Sequence, residues 1–527
     1  MSTELNRRFT PLTLLMLSIN GMIGSAWLFA PLYAAKIAGV GSIIAWLIGG
    51  LATALIALTF AELSVLLPVA GGTAQIPKLS HGSFTSFMLT WIAWLSALTM
   101  APIEVQAVLQ YASTYFHSLI HLVNGVPVLT VHGLMWAAVL MLGLCVLNIV
   151  SFTGLVRFNF ALFLFKVVVI ALTVATLLHV SYHPENFTGF TSSFTGSGWH
   201  AILTAVATGG IAFAFTGFKH GVELAGEAKQ MKLAIPLAIV GSVFACLLLY
   251  LGLQIAFISA LEPALISEGW AKLAFAGDVG PFAGLAAALG LAWLLKLLYI
   301  DAAVSPLGAG LIYVTSTARI LYAMSDIGFV PRFIMRVNKQ QLPVAAILVN
   351  FVIGMFLFLP LPGWQAMVSF LVSGMVISYA MGPIAVLCLR HELKDKARDF
   401  RLPLANITCP LAFYFCNLIS YWCGFDTIYK LAIAIGIGLV FFILACLQGK
   451  LPRERMGLKS ATWVVPYLGG LVILSYLGTF GGINVIPFGW DFAVIAVFSA
   501  IILKLAVATR SKDTAFQLTS SPVASQS

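Results

Sequence analysis

The sequence predicts an all-α polytopic membrane protein that crosses the bilayer about fourteen times, with twelve crossings as the alternative. Three observations predict it. First, 61% of the 527 residues are hydrophobic and only 9% are charged, against about 45–50% apolar and about 25% charged residues in soluble domains. So few charges cannot cover a water-facing surface of this size, which excludes a soluble enzyme. The high hydrophobicity equally excludes a disordered chain. Second, the apolar residues gather into runs that approach or exceed the roughly 20 residues a membrane helix needs. Third, Lys and Arg alternate between the segments that join those runs. The 46 Gly fit the same class, because Gly is commoner in membrane helices than in soluble ones.

The runs, in chain order, are 12–35, 40–67, 84–115, 132–150, 155–180, 200–228, 235–260, 283–318, 343–361, 364–389, 405–424, 427–447, 462–480 and 488–508. The third is long enough for a tilted helix. The eighth is too long for one simple span, so its start is expected to lie on the extracellular surface. The first ten residues are polar and the first run lacks a small-residue cleavage site, so that run reads as a retained helix rather than a signal peptide. Residues 1–11 form the cytoplasmic N-terminus in this reading, and 509–527 a Ser/Thr-rich disordered tail. The longest polar stretch between runs, 390–403, is a short loop, so no folded soluble domain is expected. The seven Cys lie in or at the edge of apolar runs and show no metal-ligand spacing. They read as small buried hydrophobes.

With the N-terminus inside, the even-numbered joints hold Lys78, Arg157, Lys229, Lys232, Arg319, Arg332, Arg336, Lys339, Arg390, Lys394, Lys396, Arg398, Arg401, Lys450, Arg453, Arg455 and Lys459. Arg7 and Arg8 precede the first run, and Lys504, Arg510 and Lys512 close the last. The opposite joints hold only Lys36, Lys272 and Lys430. Cytoplasmic loops carry such an excess of Lys and Arg. Both termini are therefore expected in the cytoplasm and the chain in a bacterial cell membrane. The +10 net charge is explained by topology and needs no nucleic acid.

Two runs carry breaks. The first reads Asn20-Gly21-Met22-Ile23-Gly24-Ser25-Ala26-Trp27, and the sixth Gly209-Gly210-Ile211-Ala212-Phe213-Ala214-Phe215-Thr216-Gly217-Phe218. They stand five helices apart, so they run in opposite membrane directions, as an inverted repeat of helices 1–5 (12–180) and 6–10 (200–390) requires. Helices 11–14 (405–508) then follow the repeat. Paired Gly-interrupted runs in matching positions point to the substrate site of a secondary transporter. An unwound stretch frees N–H groups for a carboxylate and C=O groups for an ammonium. A zwitterionic amino acid needs both. The competing reading is that these glycines serve close helix packing.

At these residues the chain resembles the amino acid–polyamine–organocation superfamily. Gly24-Ser25-Ala26 matches that family's first-helix turn, with Ala26 replacing its usual third Gly. Ala61-Glu62-Leu63 with Pro68-Val69-Ala70-Gly71-Gly72, Ala225-Gly226-Glu227, and the segment Arg319 to Pro343 are similar to further family motifs. Ser80-His81-Gly82 and Ile103-Glu104-Val105 resemble the bacterial aspartate–proton symporter branch. The resemblance covers about residues 10–450. It implies a leucine-transporter-like five-plus-five fold. It also implies a substrate carboxylate at Gly24, Ser25 and Ala26, and an ammonium at the carbonyls of Met22, Phe213 and Thr216 beside Gly217. Phe213 would be an aromatic gate, although one of 38 Phe can equally be packing.

An ionisable residue at the bilayer centre costs roughly 2.5–3.5 kcal/mol on insertion scales, so each is a candidate for function. Glu104, Lys166, Lys219, Glu223, Lys296 and Asp301 qualify. Lys166 lies about eleven residues into the fifth run, near mid-membrane at a rise of 1.5 Å per residue. The resemblance gives it the place of a sodium ion, with its ammonium on first-helix carbonyls and proton coupling as its role; the alternative is a snorkelling lysine. Asp301 and Glu104 are further proton-coupling candidates. Lys219 stands where many relatives are acidic. It would pair with a substrate side-chain carboxylate, or else with Glu104, Glu223 or Asp301. Glu62 and Glu227, near cytoplasmic ends, read as gate or structural ion pairs.

No GxxxxGK[ST] loop, HExxH or GxSxG occurs, so ATP, zinc-protease and serine-hydrolase chemistry have no motif, and no cofactor is expected. Asn186-Phe187-Thr188 and Asn406-Ile407-Thr408 match glycosylation sequons only as chance would. The expected function is secondary transport of an acidic amino acid, aspartate or glutamate, with a proton. The rivals are an amino acid exchanger, for example of glutamate against its decarboxylation product, a neutral amino acid permease, and a non-transporting membrane sensor or enzyme.

Overall fold

The fold is that of a computed structural model, which describes residues 9–67, 72–123, 125–150, 155–188, 190, 194, 197–275, 280–338, 342–394, 396, 398–447 and 456–511. The expected disordered tail therefore lies almost wholly outside the described residues. So do Arg7, Arg8, Pro68 to Gly71, Lys339, Lys450, Arg453, Arg455 and Lys512.

Each of the fourteen apolar runs is helical, and the departures from single rods have local causes. The first run splits into α1 (Pro11–Met22) and α2 (Ala26–Ala38), followed by α3 (Ser42–Leu66). Thr10 caps α1 by accepting from the Thr13 N–H, and Pro11 takes the first helical position, where its missing N–H costs nothing. A short helix, α4 (Gly72–His81), joins α3 to the third run. That run divides at Thr99 into α5 (Ser83–Leu98) and α6 (Met100–Ala112), because Pro102 cannot donate back to Leu98. A hairpin unforeseen from the sequence, β1 (Ile120–Val123) with β2 (Val126–Leu129), turns at Gly125. Then come α7 (Val131–Val150) and α8 (Leu155–Val180).

The sixth run is the most broken. It comprises α9 (Ser197–Thr208), α10 (Ile211–Ala214), a 3-10 turn at Thr216–Phe218 and α11 (Lys219–Glu223). The seventh begins as α12 (Met231–Pro236), widens into a π-turn at Leu237–Gly241 and continues as α13 (Ser242–Ala260). After α14 (Pro263–Ile266), the eighth run starts with a separate helix, α15 (Pro281–Ala288), before the span α16 (Ala292–Asp326), as its length predicts. The remaining elements are α17 (Val344–Phe356), α18 (Gly363–Tyr379), α19 (Met381–Glu392), α20 (Ala405–Trp422), α21 (Phe425–Leu447), α22 (Val464–Leu477) and α23 (Trp490–Ala508). The tenth run is split by Pro383 at the α18–α19 joint, as the third is by Pro102.

Ten helical stretches among the described residues are long and apolar enough to cross a membrane. One of them, Ala26–Leu66, contains both α2 and α3. α5 and α18 pack together in the centre and are almost wholly buried. α7, α8 and α21 lie outside and turn residues such as Trp136, Leu164 and Phe441 outward, as lipid-facing helices do.

The loops sort onto two faces. On one, Phe9 N–H donates to Glu227 O (3.1 Å), Lys232 pairs with Asp399 (2.8 Å), Arg510 with Glu392 (2.7 Å), and Ser511 N–H donates to Ser80 O (2.7 Å). The first and last described residues thus share this near face. On the far face, Asn186 donates to Ile258 O and Leu261 O (both 2.8 Å), Trp270 packs on Gly39, and Phe425 N–H donates to Phe480 O (2.9 Å). The Asn186 amide of the first sequon is thus buried in internal bonds. Arg390, Arg398 and Arg510 belong to the near face, while Lys36, Lys272 and Lys430 sit at far-face helix ends.

Candidate functional site

The two breaks touch. A Cβ on Gly217 would lie 2.5 Å from the main chain of Gly21 and Met22, so only glycine lets the backbones meet. Gly210, at φ +91°, lies against Trp364 and Ala30. The glycines therefore do serve close packing, and at Gly217 the packing is of one break on the other.

At the first break side chains donate to four successive carbonyls, Asn20 to Ile23, and Met22 O also accepts from the Gly24 N–H (3.1 Å). Lys166 Nζ donates to Asn20 O (3.3 Å) and Ile23 O (2.6 Å). The Tyr313 hydroxyl donates to Gly21 O (2.7 Å), and the Tyr250 hydroxyl to Met22 O (2.9 Å). Lys166 is fully buried in α8 and does not snorkel. It sits on first-helix carbonyls, where the resemblance places it. Glu104 and Asp301 are its neighbouring carboxylates. Asp301 accepts from Trp27 Nε1 (3.1 Å) and the Ser305 hydroxyl (2.7 Å). Lys296, by contrast, lies on the outer side of α16 and takes no part.

The donor side of the break is also occupied. Ser25 N–H donates to Glu104 Oε2 at 2.7 Å, and the Trp364 indole donates to the Ser25 hydroxyl at 2.9 Å. Glu104 thus stands at the start of α2, where anions are favoured. Gly24 lies directly against the same carboxylate, and a Cβ there would collide with Glu104 Oε1. The resemblance puts a substrate carboxylate at Ser25 and Ala26; in this structure Glu104 occupies the Ser25 N–H. Likewise Met22 O, expected to meet a substrate ammonium, already accepts from Tyr250.

At the second break, the Thr216 hydroxyl donates to Phe213 O (2.8 Å), and the Tyr379 hydroxyl reaches Thr216 O (3.4 Å). Phe213 meets Trp364 edge-on at 5.8 Å, and Trp364 stacks on Phe29 and Tyr33. An aromatic cluster therefore covers the far side of the breaks. Lys219, one turn beyond Thr216, is 7% exposed, and its Nζ has no hydrogen-bond partner among the described residues. It lies 6.0 Å from the Tyr379 ring centre and lines a small cleft with Phe60, Ile76, Pro77 and Ser378. It forms no ion pair with Glu104, Glu223 or Asp301; Glu223 is its nearby carboxylate and accepts instead from Ser316 (2.8 and 3.0 Å).

Nearer the loops, Glu62 is 1% exposed and accepts from Arg390 Nε (3.0 Å) and Nη2 (2.6 Å) and from Leu402 N–H (2.7 Å). Arg398 approaches to 3.4 Å. The expected ion pair at Glu62 is therefore present. Glu227 has no ion pair among the described residues; its main-chain carbonyl accepts from the Phe9 N–H (3.1 Å).

Tyr250, Tyr313, Trp364 and Tyr379 were not singled out from the sequence. Their signal was a polar tip inside an apolar run, since a buried Tyr or Trp seeks a hydrogen-bond partner.

A family model for amino acid permeases matches residues 9–474. The chain is 37% identical to the glutamate/serine transporter AimA of Bacillus subtilis (strain 168), over 94% of this chain and 93% of that protein. It is 32% identical to the aspartate-proton symporter of the same organism, over 93% and 94%. It is 27% identical to the L-asparagine permease of Escherichia coli (strain K12), over 78% and 82%.

Proposed function

The chain belongs to the amino acid permease family, and we propose that it imports an acidic amino acid, aspartate or glutamate, together with a proton. It is a membrane transporter, not an enzyme. The near face, with its Arg and Lys, is the cytoplasmic one in this reading.

The observation that carries proton coupling is Lys166 Nζ at 2.6 Å from Ile23 O and 3.3 Å from Asn20 O. A charged ammonium there holds the first break closed; its loss of a proton releases the two carbonyls. Asp301 and Glu104 balance the charge. Glu104 also competes with cargo. One N–H, that of Ser25, serves either Glu104 or the substrate carboxylate, so substrate entry favours a protonated, departing Glu104. Phe213, Thr216 and Gly217 complete the site at the second break. The acidic preference is supported by Lys219, a buried lysine one turn beyond it whose Nζ has no hydrogen-bond partner among the described residues. The names of the two Bacillus relatives agree. Glu62 with Arg390 and Arg398 closes the cytoplasmic side, and alternating access rocks the broken helices with α3 and α12–α13 against the rest.

The test is uptake into proteoliposomes of labelled aspartate, glutamate and serine, with and without an imposed pH gradient. Accumulation of aspartate or glutamate that depends on the gradient is expected. Absence of both acids from the lumen refutes the acidic reading, and gradient-independent exchange refutes proton coupling. Lys219→Ala should lower acidic uptake more than serine uptake; equal losses would put Lys219 outside the recognition of cargo. Serine is included because the glutamate/serine relative carries it by name, so a small neutral cargo is the second reading.

A further inference from the structure

We propose that His220 and Glu223 form a proton relay from the first break to the near face, an assignment that rests on the proton-coupled reading above. His220 is 6% exposed and follows Lys219 on α11. Its ring lies against Gly21, so closely that a Cβ on Gly21 would collide with it. Gly21 lies near the end of α1, three residues before Gly24, which is in the break and touches Glu104. His220 and Glu104 therefore contact the first run three residues apart, on either side of the end of α1.

The two imidazole nitrogens differ. Nδ1 faces Glu223 Oε2 at 3.7 Å, while Nε2 is buried and has no partner among the described residues. A structural histidine normally has its buried nitrogens bonded. The Tyr313 phenol lies 5.2 Å from the His220 ring, donates to Gly21 O at 2.7 Å, and neighbours both Glu104 and Glu223. The Glu223 side chain is 18% exposed, so the chain of groups begins at the break and ends at a partly exposed side chain.

The surroundings leave His220 few competitors. α1 and the segment 237–241 carry no titratable side chain. α3 brings Glu62, already held by Arg390 and Arg398, and α4 brings Lys78 and His81. The 225–227 turn brings Glu227, α16 brings Tyr313, and α11 itself brings Lys219 and Glu223.

The transfer balances without any co-reactant. A proton leaving the Glu104 side of the break arrives at His220 Nε2, which offers its lone pair. The Nδ1 hydrogen then passes to a Glu223 oxygen. Glu223 yields that proton to water at the near face, and His220 is left neutral with its hydrogen on Nε2. With the ring turned toward the near face, water takes the Nε2 proton and returns one to Nδ1, so the starting tautomer is restored with no net proton moved.

The test uses the full chain in proteoliposomes and two assays: pH-gradient-driven net uptake, and exchange of labelled for unlabelled aspartate (or glutamate) at equal pH, in which no net proton crosses. His220→Asn should lower net uptake by about 100-fold, a typical loss for a group that shuttles protons, and leave exchange within about twofold. It should also flatten the dependence of net uptake on internal pH. Glu223→Gln should split the two assays in the same way. Variants that keep both activities overturn the relay, and so does loss of both activities in each variant, which would mark the pair as scaffold. If wild-type uptake ignores the pH gradient, the functional reading fails; if wild type responds and the variants match it, the relay alone fails.

Discussion

Replacing Gly217 with Ala tests whether the meeting of the two breaks is what the transporter works with. The new Cβ would stand 2.5 Å from the main chain of Gly21 and Met22, where ordinary contact begins at 3.4 Å. The obstacle is backbone, not a flexible side-chain end, so the breaks must part by about 1 Å in a tightly packed interior. Overpacking of this kind costs about 1–3 kcal/mol, or roughly 5- to 150-fold in whichever conformational equilibrium holds the breaks together. Lys166, Tyr250 and Tyr313 are all bonded to carbonyls of the displaced segment, so their geometry is lost together. Uptake in proteoliposomes should fall about 10- to 100-fold, because a 1 Å misplacement at a working site costs about that much. Gly436→Ala is the control, because nothing lies within 4 Å of its added Cβ, and it should transport as wild type does. A Gly217→Ala protein within twofold of wild type would refute the argument and return the glycine to ordinary packing.

Lys166→Met should abolish gradient-driven uptake, because it leaves the Asn20 and Ile23 carbonyls without their donor; gradient-driven accumulation at the wild-type level would remove Lys166 from coupling. Glu62→Ala leaves Arg390 and Arg398 without their carboxylate, and loss of one partner of a buried pair costs about 3–5 kcal/mol, to be read as a lowered unfolding midpoint in detergent. On the near face, burial pushes the His81 imidazole down to about 4, below the 6.5 of a free histidine. Its contribution to stability is therefore complete above about pH 6.5 and is lost as pH falls toward 4, by about 3 kcal/mol in all. His81→Gln should flatten that limb of the midpoint-against-pH curve; an unchanged slope would show that His81 does not titrate with unfolding.

The sequence made legible whatever is local or periodic. Spans, breaks and the alternation of Lys and Arg each lie within a few residues of one another. Lys166 and Glu62 stood out because a charge in an apolar run demands a partner, though only the fold shows that the partners are the Ile23 carbonyl and Arg390. The arrangement around Ser25 was not legible. Glu104 arrives from 79 residues away, and nothing in its own run says that it caps α2 instead of waiting for a proton alone. Tyr250 and Tyr313 were overlooked for the same reason: a tyrosine in an apolar helix looks like filler until its hydroxyl finds a freed carbonyl. The surroundings of Lys219 were not legible either, since the Tyr379 ring beside it and the cleft it lines with Phe60, Ile76 and Pro77 come from distant parts of the chain.

The near face ties one of the earliest connecting helices to the last. The His81 imidazole of α4 meets Ala506 O at 2.9 Å, 425 residues later in the chain, and Ser80 O receives the Ser511 N–H. Ribosomes add about 5–20 residues per second, so α4 emerges roughly 20–85 s before its anchor exists. During that interval the wall of the cleft beside Lys219, to which Ile76 and Pro77 contribute, has no fixed support from α23. The nascent protein therefore has a built-in order of completion: the two breaks can assemble before the C-terminal helices are made, but the loop beneath them is fastened only when synthesis is nearly done. A chain that stops short of Ala506 would insert its spans and still lack that fastening.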